Sequence, residues 1–370
     1  MIRVDRQSSY EDAVQSALQV WTRGGLVAFP TETVYGVGAH AVHIGALARL
    51  REVKSRPADR AFTVHLGSRT QATEFVGEAT GLALRLMRKA WPGPLTLILG
   101  AKKDLLTAGG SAPLPDAAAS AVIHGNTVGL RCPDDPVATA LLQAAPEPVV
   151  AASANLKGNR PPLTAEDVMR DLDGQVELLI DAGRTRYSKP STIVRVEGDT
   201  YTIVREGVYD AAAIERLATL RLLFVCTGNT CRSPMAAAVA RKLLAERLHC
   251  DYSRLAERGV VVMSAGTGGG HGGASPNAVK VMAERGLDIS DHVSRALAVE
   301  HIQQADHIYA MTHVHRDRIL DMLPTCAERV VLLLGDEDVR DPVGGSESDY
   351  EHCAQLIEKG IQARLQEVML

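Results

Sequence analysis

The stretch CTGNTCRSPM, residues 226–235, sets Cys226 and Arg232 around Thr227, Gly228, Asn229, Thr230 and Cys231, with Ser233 and Pro234 following. An apolar strand pattern, RLLFVC, runs into it and a helical pattern, SPMAAAVARKLLAERL, runs out, with Ser233 suited to the N-cap and Pro234 to the first turn. A helix N-terminus offers unpaired N–H groups and partial positive charge, and a loop with Gly228 and Asn229 can turn its own N–H groups into the same concavity. Such a cradle binds phosphate and depresses a thiol pKa, and Arg232 adds a two-pronged cation. The loop thus joins a nucleophile, Cys226, to an oxyanion clamp. Its leaving group needs an acid, and RDPVGGSESDY offers Asp341, ahead of a C-terminal helix and stiffened by Pro342.

A second set of polar residues lies in the first half. GGLVAFPTETVYGVGA reads as a strand delivering Thr31, Glu32, Thr33 and Tyr35 into a loop. KSRP supplies Lys54 and Arg56, and TVHL supplies His65. Later segments add Arg131, Ser153, Asn155, Ser191 and Arg205. Cations converging from separate segments suit a polyphosphate or a carboxylate, although singly each has an ordinary role as a solvated charge or turn former.

The elements that must position these residues alternate strand-like and helix-like patterns throughout, which argues α/β. STIVRVEGDTYTIVREG reads as a hairpin turning at Gly198-Asp199, and DAAAIERLATL as a short helix or linker. The boundary falls near residues 216–220, giving domains at 1–217 and 221–370. A length of 370 residues exceeds what one core usually serves. Lys+Arg and Asp+Glu balance at 24 each in residues 1–217 and stand at 16 against 20 beyond, so bulk charge marks neither half as a nucleic-acid glove. No apolar run is long enough to span a bilayer and the start lacks a signal-peptide layout, so a cytoplasmic protein without a membrane partner is expected. Six scattered cysteines read as reduced thiols. Cys231 beside a low-pKa thiolate could close a reversible disulfide with Cys226. His313 and His315, on an expected loop, read as surface residues rather than a metal pair, and GTGGGHGG reads as a mobile rim loop.

From residue 221 onward the catalytic loop, SAGT, RGLDISDHVSRAL and the Asp-Pro loop occur in the order of the low-molecular-weight protein-tyrosine phosphatase family, which this segment resembles. The resemblance implies a Rossmann-like parallel-sheet domain. It also implies Cys226 as nucleophile, Arg232 as clamp, Asn229 and Ser233 as thiolate supports, Asp341 as acid then base, phosphorylated proteins as substrates, and no metal. Within that family, protein-arginine phosphatases carry threonine at the position of Thr230, and DPVGGS lacks the aromatic pair of tyrosine-directed members. Phosphoarginine is therefore the expected substrate, with phosphotyrosine the alternative.

Residues 10 to 208 resemble the YrdC-like domain of threonylcarbamoyl-AMP synthases, on five separated motifs, which implies a twisted α/β sheet. The implied reaction joins L-threonine, bicarbonate and ATP, with Mg2+ accompanying the ATP. Thr31, Thr33, Tyr35, His65 and Arg131 would line the threonine end, and Lys54, Arg56, Ser153, Asn155 and Arg205 the ATP end, with Ser191 between. The implied partners are downstream tRNA threonylcarbamoyl transferase proteins and tRNA. RAFTVH replaces the family's usual Pro-Leu before His65, Ala152 stands for a usual Pro, and Lys157 for a usual Ser, adding a cation close to the expected nucleotide side. Two alternatives stay open: a non-catalytic RNA-binding module that delivers the phosphatase, and a carbamoyl-adenylate enzyme of the hydrogenase-maturation type.

Overall fold

The computed structural model describes residues 1–5, 10–102, 116–269 and 272–368. The chain divides into two compact units, Met1–Leu217 and Ala218–Leu370, each α/β. Gly270 and His271 of the expected rim loop lie outside the described residues.

The first unit is built on a mixed sheet. Its strand order is Ile2–Arg3, Leu178–Asp181, Val27–Phe29, Gly36–His40, Val149–Ser153, Thr63–His65, Thr127–Arg131, Leu95–Gly100, Thr192–Glu197 and Thr200–Arg205. Gly36–His40 is a strand that its two glycines hide in the sequence. It pairs antiparallel with Val27–Phe29 on one side and Val149–Ser153 on the other, and a Cβ on Gly38 would stand 2.8 Å from the Val150 carbonyl. Glu11–Thr22 and Pro136–Ala144 cover the sheet through Ala17, Trp21, Val137 and Leu141. The second of these helices starts where Asp135 accepts hydrogen bonds from the Val137 and Ala138 amides, with Pro136 in the first turn. The expected hairpin is present, turning at Gly198 with φ +60°.

The second unit has a parallel sheet in the order Val260–Gly266, Leu220–Cys226, His307–Ala310, Val330–Leu332. Leu220–Cys226 comes first in the chain and receives its neighbours on opposite sides, so its carboxyl end is a topological switch point, where open α/β sheets bind ligands. Cys226 is the last residue of that strand. Arg232–Arg247 and Glu347–Glu367 cover one face around Phe224, Met235 and Ile357, and the helices Val299–Gln304 and His313–Met322 contribute Ile302 and Ile319 to the other. Ser346 and Asp349 form a capping box at the last helix.

Ser233 is not the helix cap. The helix begins at Arg232 with Cys231 in the cap position, and the Ser233 hydroxyl turns to Cys226 instead. Gly266 closes the neighbouring strand directly beneath the loop: a Cβ there would stand 2.5 Å from the Thr227 carbonyl oxygen and 3.0 Å from the Asn229 nitrogen. Gly266→Ala is therefore expected to destabilise the second unit by about 1–3 kcal/mol, the usual cost of overpacking against backbone, and to leave the unfolding of the first unit unchanged. Denaturant unfolding followed in both units checks this, and a parental transition in the second unit would show that the loop can give way.

Candidate active sites

In the first unit, strand ends converge on a cavity of about 300 Å3. Val27–Phe29 leads into Thr31, whose hydroxyl donates to the Val34 carbonyl at 2.6 Å and accepts from the Thr33 and Val34 amides. This turn holds Thr31 and Thr33 against Arg131, the last residue of Thr127–Arg131, whose Nη2 reaches both hydroxyls and the Glu32 carboxylate at 3.0 Å. The Glu32 side chain is fully buried, and its other oxygen accepts from the Asp134 amide. Arg131 Nε has no hydrogen-bond partner among the described residues. A buried, unpaired guanidinium N–H costs free energy unless an acceptor arrives.

His65 sits opposite Arg131 in the parallel register. Burial and the adjacent Arg131 push its pKa down to about 3, so the ring is neutral at neutral pH. Its Nδ1 faces the Thr63 carbonyl at 3.2 Å and must carry the proton there, which leaves Nε2 an acceptor. Lys54, just past the helix Ile44–Val53, donates to the side-chain oxygen of Asn155 at 3.0 Å and to its carbonyl, and Ser153 donates to the same side chain at 2.7 Å. Burial, with help from Arg56 and against the pull of Asp171, lowers the Lys54 amine to about 8. Arg56 is fixed by the carbonyls of Arg60 and Ala61 and lies 5.0 Å over the Phe62 ring. Arg205 donates to the Ser191 carbonyl at 2.7 Å, and Ser191 bonds Thr96. Burial and then Arg131 lower the Arg205 pKa.

In the second unit the loop closes around sulfur. Cys226 Sγ lies 2.9 Å from Ser233 Oγ and accepts the Asn229 amide at 3.2 Å. Asn229 holds a left-handed φ of +56°, a conformation uncommon outside glycine, because its side chain is tied on every side. Its amide donates to Ser233 and Ser264, both at 2.9 Å, and its oxygen accepts the Arg295 amide. Its carbonyl meets His292 and Ser294. Arg232 donates to the Val339 carbonyl at 3.1 Å, to Thr227 Oγ1 at 3.3 Å and to the Asp341 carboxylate. Its Nε has no partner among the described residues. Cys231 Sγ engages Ser275 Oγ at 3.2 Å and Tyr350 OH at 3.4 Å. The Thr230 side chain is half-buried and its carbonyl accepts the Ser275 amide.

Comparison with known proteins matches residues 19–207, just over half of the chain, to the Sua5/YciO/YrdC family model, described as telomere recombination. Residues 221–369 match the model for low molecular weight phosphotyrosine protein phosphatases. The chain belongs to the Sua5/YciO/YrdC family and carries a low-molecular-weight phosphatase domain. The threonylcarbamoyl-AMP synthase of Bacillus subtilis (strain 168) is 36% identical over 57% of this chain, which spans 58% of that protein, a little over half its length. The crystal structure of P. abyssi Sua5 complexed with L-threonine shares the fold, with a TM-score of 0.51 and 23% identity over 71% of this chain and 91% of that one. The YwlE arginine phosphatase from Geobacillus stearothermophilus is 37% identical over 40% of this chain and 94% of its own, with a TM-score of 0.34.

The first-unit cavity gathers Thr31, Lys54, Arg56, His65, Arg131, Ser153, Asn155, Ser191 and Arg205. Thr33 and Tyr35 stand behind its wall. Thr33 supports Arg131, and the Tyr35 hydroxyl donates to the Gly183 carbonyl at 2.7 Å. Ala152 is on the wall, whereas Lys157 is exposed and off it. Glu32, the buried counterion of Arg131, belongs to the site although only its place in TET pointed there. His315 corrects the reading of a surface loop. It lies on the helix His313–Met322, is 3% exposed, and its Nε2 is 2.8 Å from Thr227 Oγ1. Only His313 is at the surface, paired with Asp338.

Magnesium does not fit as a resident ion. The described cavity wall has no carboxylate, and no group of three or more His, Cys, Asp and Glu among the described residues could hold a metal. Mg2+ takes hard oxygens, chiefly carboxylate and phosphate, so it would enter as the escort of a nucleotide's own phosphates. No helix among the described residues is long and apolar enough to cross a membrane.

The lowered Lys54 pKa sets a pH dependence. The lysine is charged below about 8 and loses that charge as the pH rises through it, while a bound polyanion favours the charged form. Affinity for inorganic tripolyphosphate measured by calorimetry is expected to fall about tenfold per pH unit above that point. In Lys54→Arg the fall should vanish, since a guanidinium stays charged; an equal slope in both proteins would assign the titration elsewhere.

Proposed function

We propose that the chain is a bifunctional enzyme: its first unit makes threonylcarbamoyl-AMP from L-threonine, bicarbonate and ATP, and its second dephosphorylates protein phosphoarginine through a phosphocysteine. The synthase reading is carried by the cavity wall, which sets Lys54, Arg56, Arg131 and Arg205 around one space without a carboxylate. Four cations suit a triphosphate and a carboxylate bound together. The threonine amine captures carbon dioxide, and the carbamate oxygen attacks the α-phosphorus in line as pyrophosphate leaves. That step asks for positioning and charge neutralisation rather than a protein nucleophile. Thr31 and Arg131, with its unpaired Nε, would take the threonine carboxylate, and neutral His65 would accept an N–H of the substrate. Lys54, Arg56, Ser153, Asn155 and Arg205 would hold the nucleotide, with Ser191 between. The product would pass to proteins that transfer the threonylcarbamoyl group to tRNA adenosine, in the cytoplasm.

In the second unit the phosphorus would meet Cys226 Sγ while its oxygens take the loop amides and Arg232. As those oxygens occupy the Arg232 nitrogens, the Asp341 carboxylate would leave its ion pair, take up a proton from solvent and give it to the leaving atom as the S–P bond forms and the bond from phosphorus to that atom breaks; it would later take a proton from the water that cleaves the S–P bond and releases phosphate. The phosphoarginine reading rests on Thr230 at the loop and on a 340–346 segment with no aromatic residue, whose Val343 is exposed. A planar, polar guanidino group rewards a hydroxyl where a phenyl ring rewards apolar walls.

Two outcomes test these readings. Lys54→Ala or Arg56→Ala should abolish threonine- and bicarbonate-dependent pyrophosphate release while phosphatase turnover persists, and Cys226→Ser should do the reverse, because sites with no shared partners do not couple. No pyrophosphate release with threonine, bicarbonate and ATP all present would leave the RNA-binding alternative for the first unit. For the second, the parent is expected to favour phosphoarginine over phosphotyrosine peptides in kcat/KM, and Thr230→Ile to move that ratio toward phosphotyrosine by about tenfold or more. A parent that favours phosphotyrosine overturns the arginine assignment, and an unchanged ratio in the variant removes Thr230 as its cause.

A further inference from the structure

We propose that His315 is a positioning residue for the phosphate clamp, acting on Arg232 through the Thr227 hydroxyl. The inference rests on the phosphatase reading of the second unit. Three short contacts form one chain. Arg232 Nη2 donates to Thr227 Oγ1 at 3.3 Å, Thr227 Oγ1 lies 2.8 Å from His315 Nε2, and His315 Nδ1 lies 2.8 Å from Thr312 Oγ1. Thr312 is itself fixed as the N-cap of the helix that carries His315, accepting the His315 amide at 3.4 Å.

Donor counting fixes the Arg232 end of the chain. Burial and the nearby Arg232 bring the His315 pKa down to about 4, against the opposing pull of Asp341 and Asp338, so the imidazole has one N–H at neutral pH. A guanidinium only donates, so the Thr227 oxygen must accept from Arg232. A hydroxyl keeps one proton and a second lone pair, and in the arrangement that spends the Thr227 proton on His315 Nε2 the histidine proton sits on Nδ1 and goes to Thr312. That arrangement aims a Thr227 lone pair at Arg232.

The need for such a fixture comes from the other contacts of the guanidinium. Val339 O holds Nη1, Nε has no partner among the described residues, and Asp341 shares Nη2 with Thr227. Asp341 is 43% exposed in its side chain and has to leave Arg232 to act on the leaving atom. Once it leaves, the Thr227 hydroxyl is the hold that remains on Nη2. Without His315 the hydroxyl proton is free to rotate, and the lone pair is no longer directed.

The test compares the full-length parent with His315→Ala, His315→Gln, Thr227→Val and the His315→Ala/Thr227→Val double variant. The readouts are kcat and KM for para-nitrophenyl phosphate, the competitive Ki of inorganic phosphate, and Tm. His315→Ala is expected to raise the phosphate Ki and lower kcat/KM by about tenfold, less than the loss of a direct oxyanion donor. His315→Gln, whose side-chain oxygen can accept the Thr227 proton, should recover to within about threefold of the parent. The double variant should be no worse than Thr227→Val alone, as expected of residues acting in one chain. A parental Ki in His315→Ala, losses that multiply in the double variant, or a His315→Gln protein no better than His315→Ala would each overturn the inference. If His315→Ala loses its fold, a Thr227→Val protein with a parental Ki overturns it alone. A parent that hydrolyses nothing and binds no phosphate would overturn the phosphatase reading itself, and this inference with it.

Discussion

A buried guanidinium must be hydrogen-bonded and charge-balanced, yet it binds an anion only if some of its N–H groups stay available. Both units resolve this conflict in the same way. Arg131 and Arg232 are each almost wholly buried, each is held by at least one threonine hydroxyl and one carboxylate, and each leaves Nε without a partner among the described residues. The difference lies in the carboxylate. Glu32 is sealed in and tied to the Asp134 amide, so it is a permanent counterion. Asp341 reaches solvent, so it can give way to a phosphoryl group. One arginine is thereby locked to its counterion, while the other can exchange partners.

The sheets put these arginines where a ligand can reach them. In the second unit the switch point beside Leu220–Cys226 opens a crevice at the strand's carboxyl end, and the chain enters its helix there with Arg232 as the first helical residue. Gly266 lets the adjacent strand pass beneath the loop at a distance no side chain allows. In the first unit the register Thr63↔Gly129 to His65↔Arg131 ends two strands side by side, so His65 and Arg131 reach the cavity together. The turn at Thr31 then meets Arg131 across the sheet.

The layout of the second unit's loop was legible because its parts are local: a strand, a loop and a helix in sequence, with Cys226 and Arg232 inside one stretch. What the sequence hid was tertiary. Ser233 has the residue type of a helix cap, and only its position one turn above Cys226 Sγ redirects the hydroxyl to sulfur. His315 looked like half of an exposed pair, since its burial comes from packing against a loop 88 residues away. Gly36–His40 lacked the β-branched density of a strand because a strand paired on both sides, with Phe29 and Val150 pressed against Gly38, leaves no room for it. The family resemblance puts Tyr35 at the threonine end, but it stands just before Gly36–His40 and its hydroxyl turns away to the Gly183 carbonyl.

The cations of the first-unit cavity repel one another in a way Arg232, paired with Asp341, does not. Lys54, Arg56 and Arg205 all have lowered pKa values, burial being the largest cause in each and cationic neighbours adding to it. Fixing them there takes carbonyl oxygens, Asn155 for Lys54, Arg60 and Ala61 for Arg56, and Ser191 for Arg205. Carbonyls orient a cation without cancelling its charge, so the repulsion persists until an anion enters. An incoming polyphosphate relieves it at three residues together, and a monoanion can relieve only part. Preference for a polyanion is thus a property of how the lysine and arginines are held, since carboxylate partners in place of those carbonyls would have removed the repulsion that the ligand is bound to relieve.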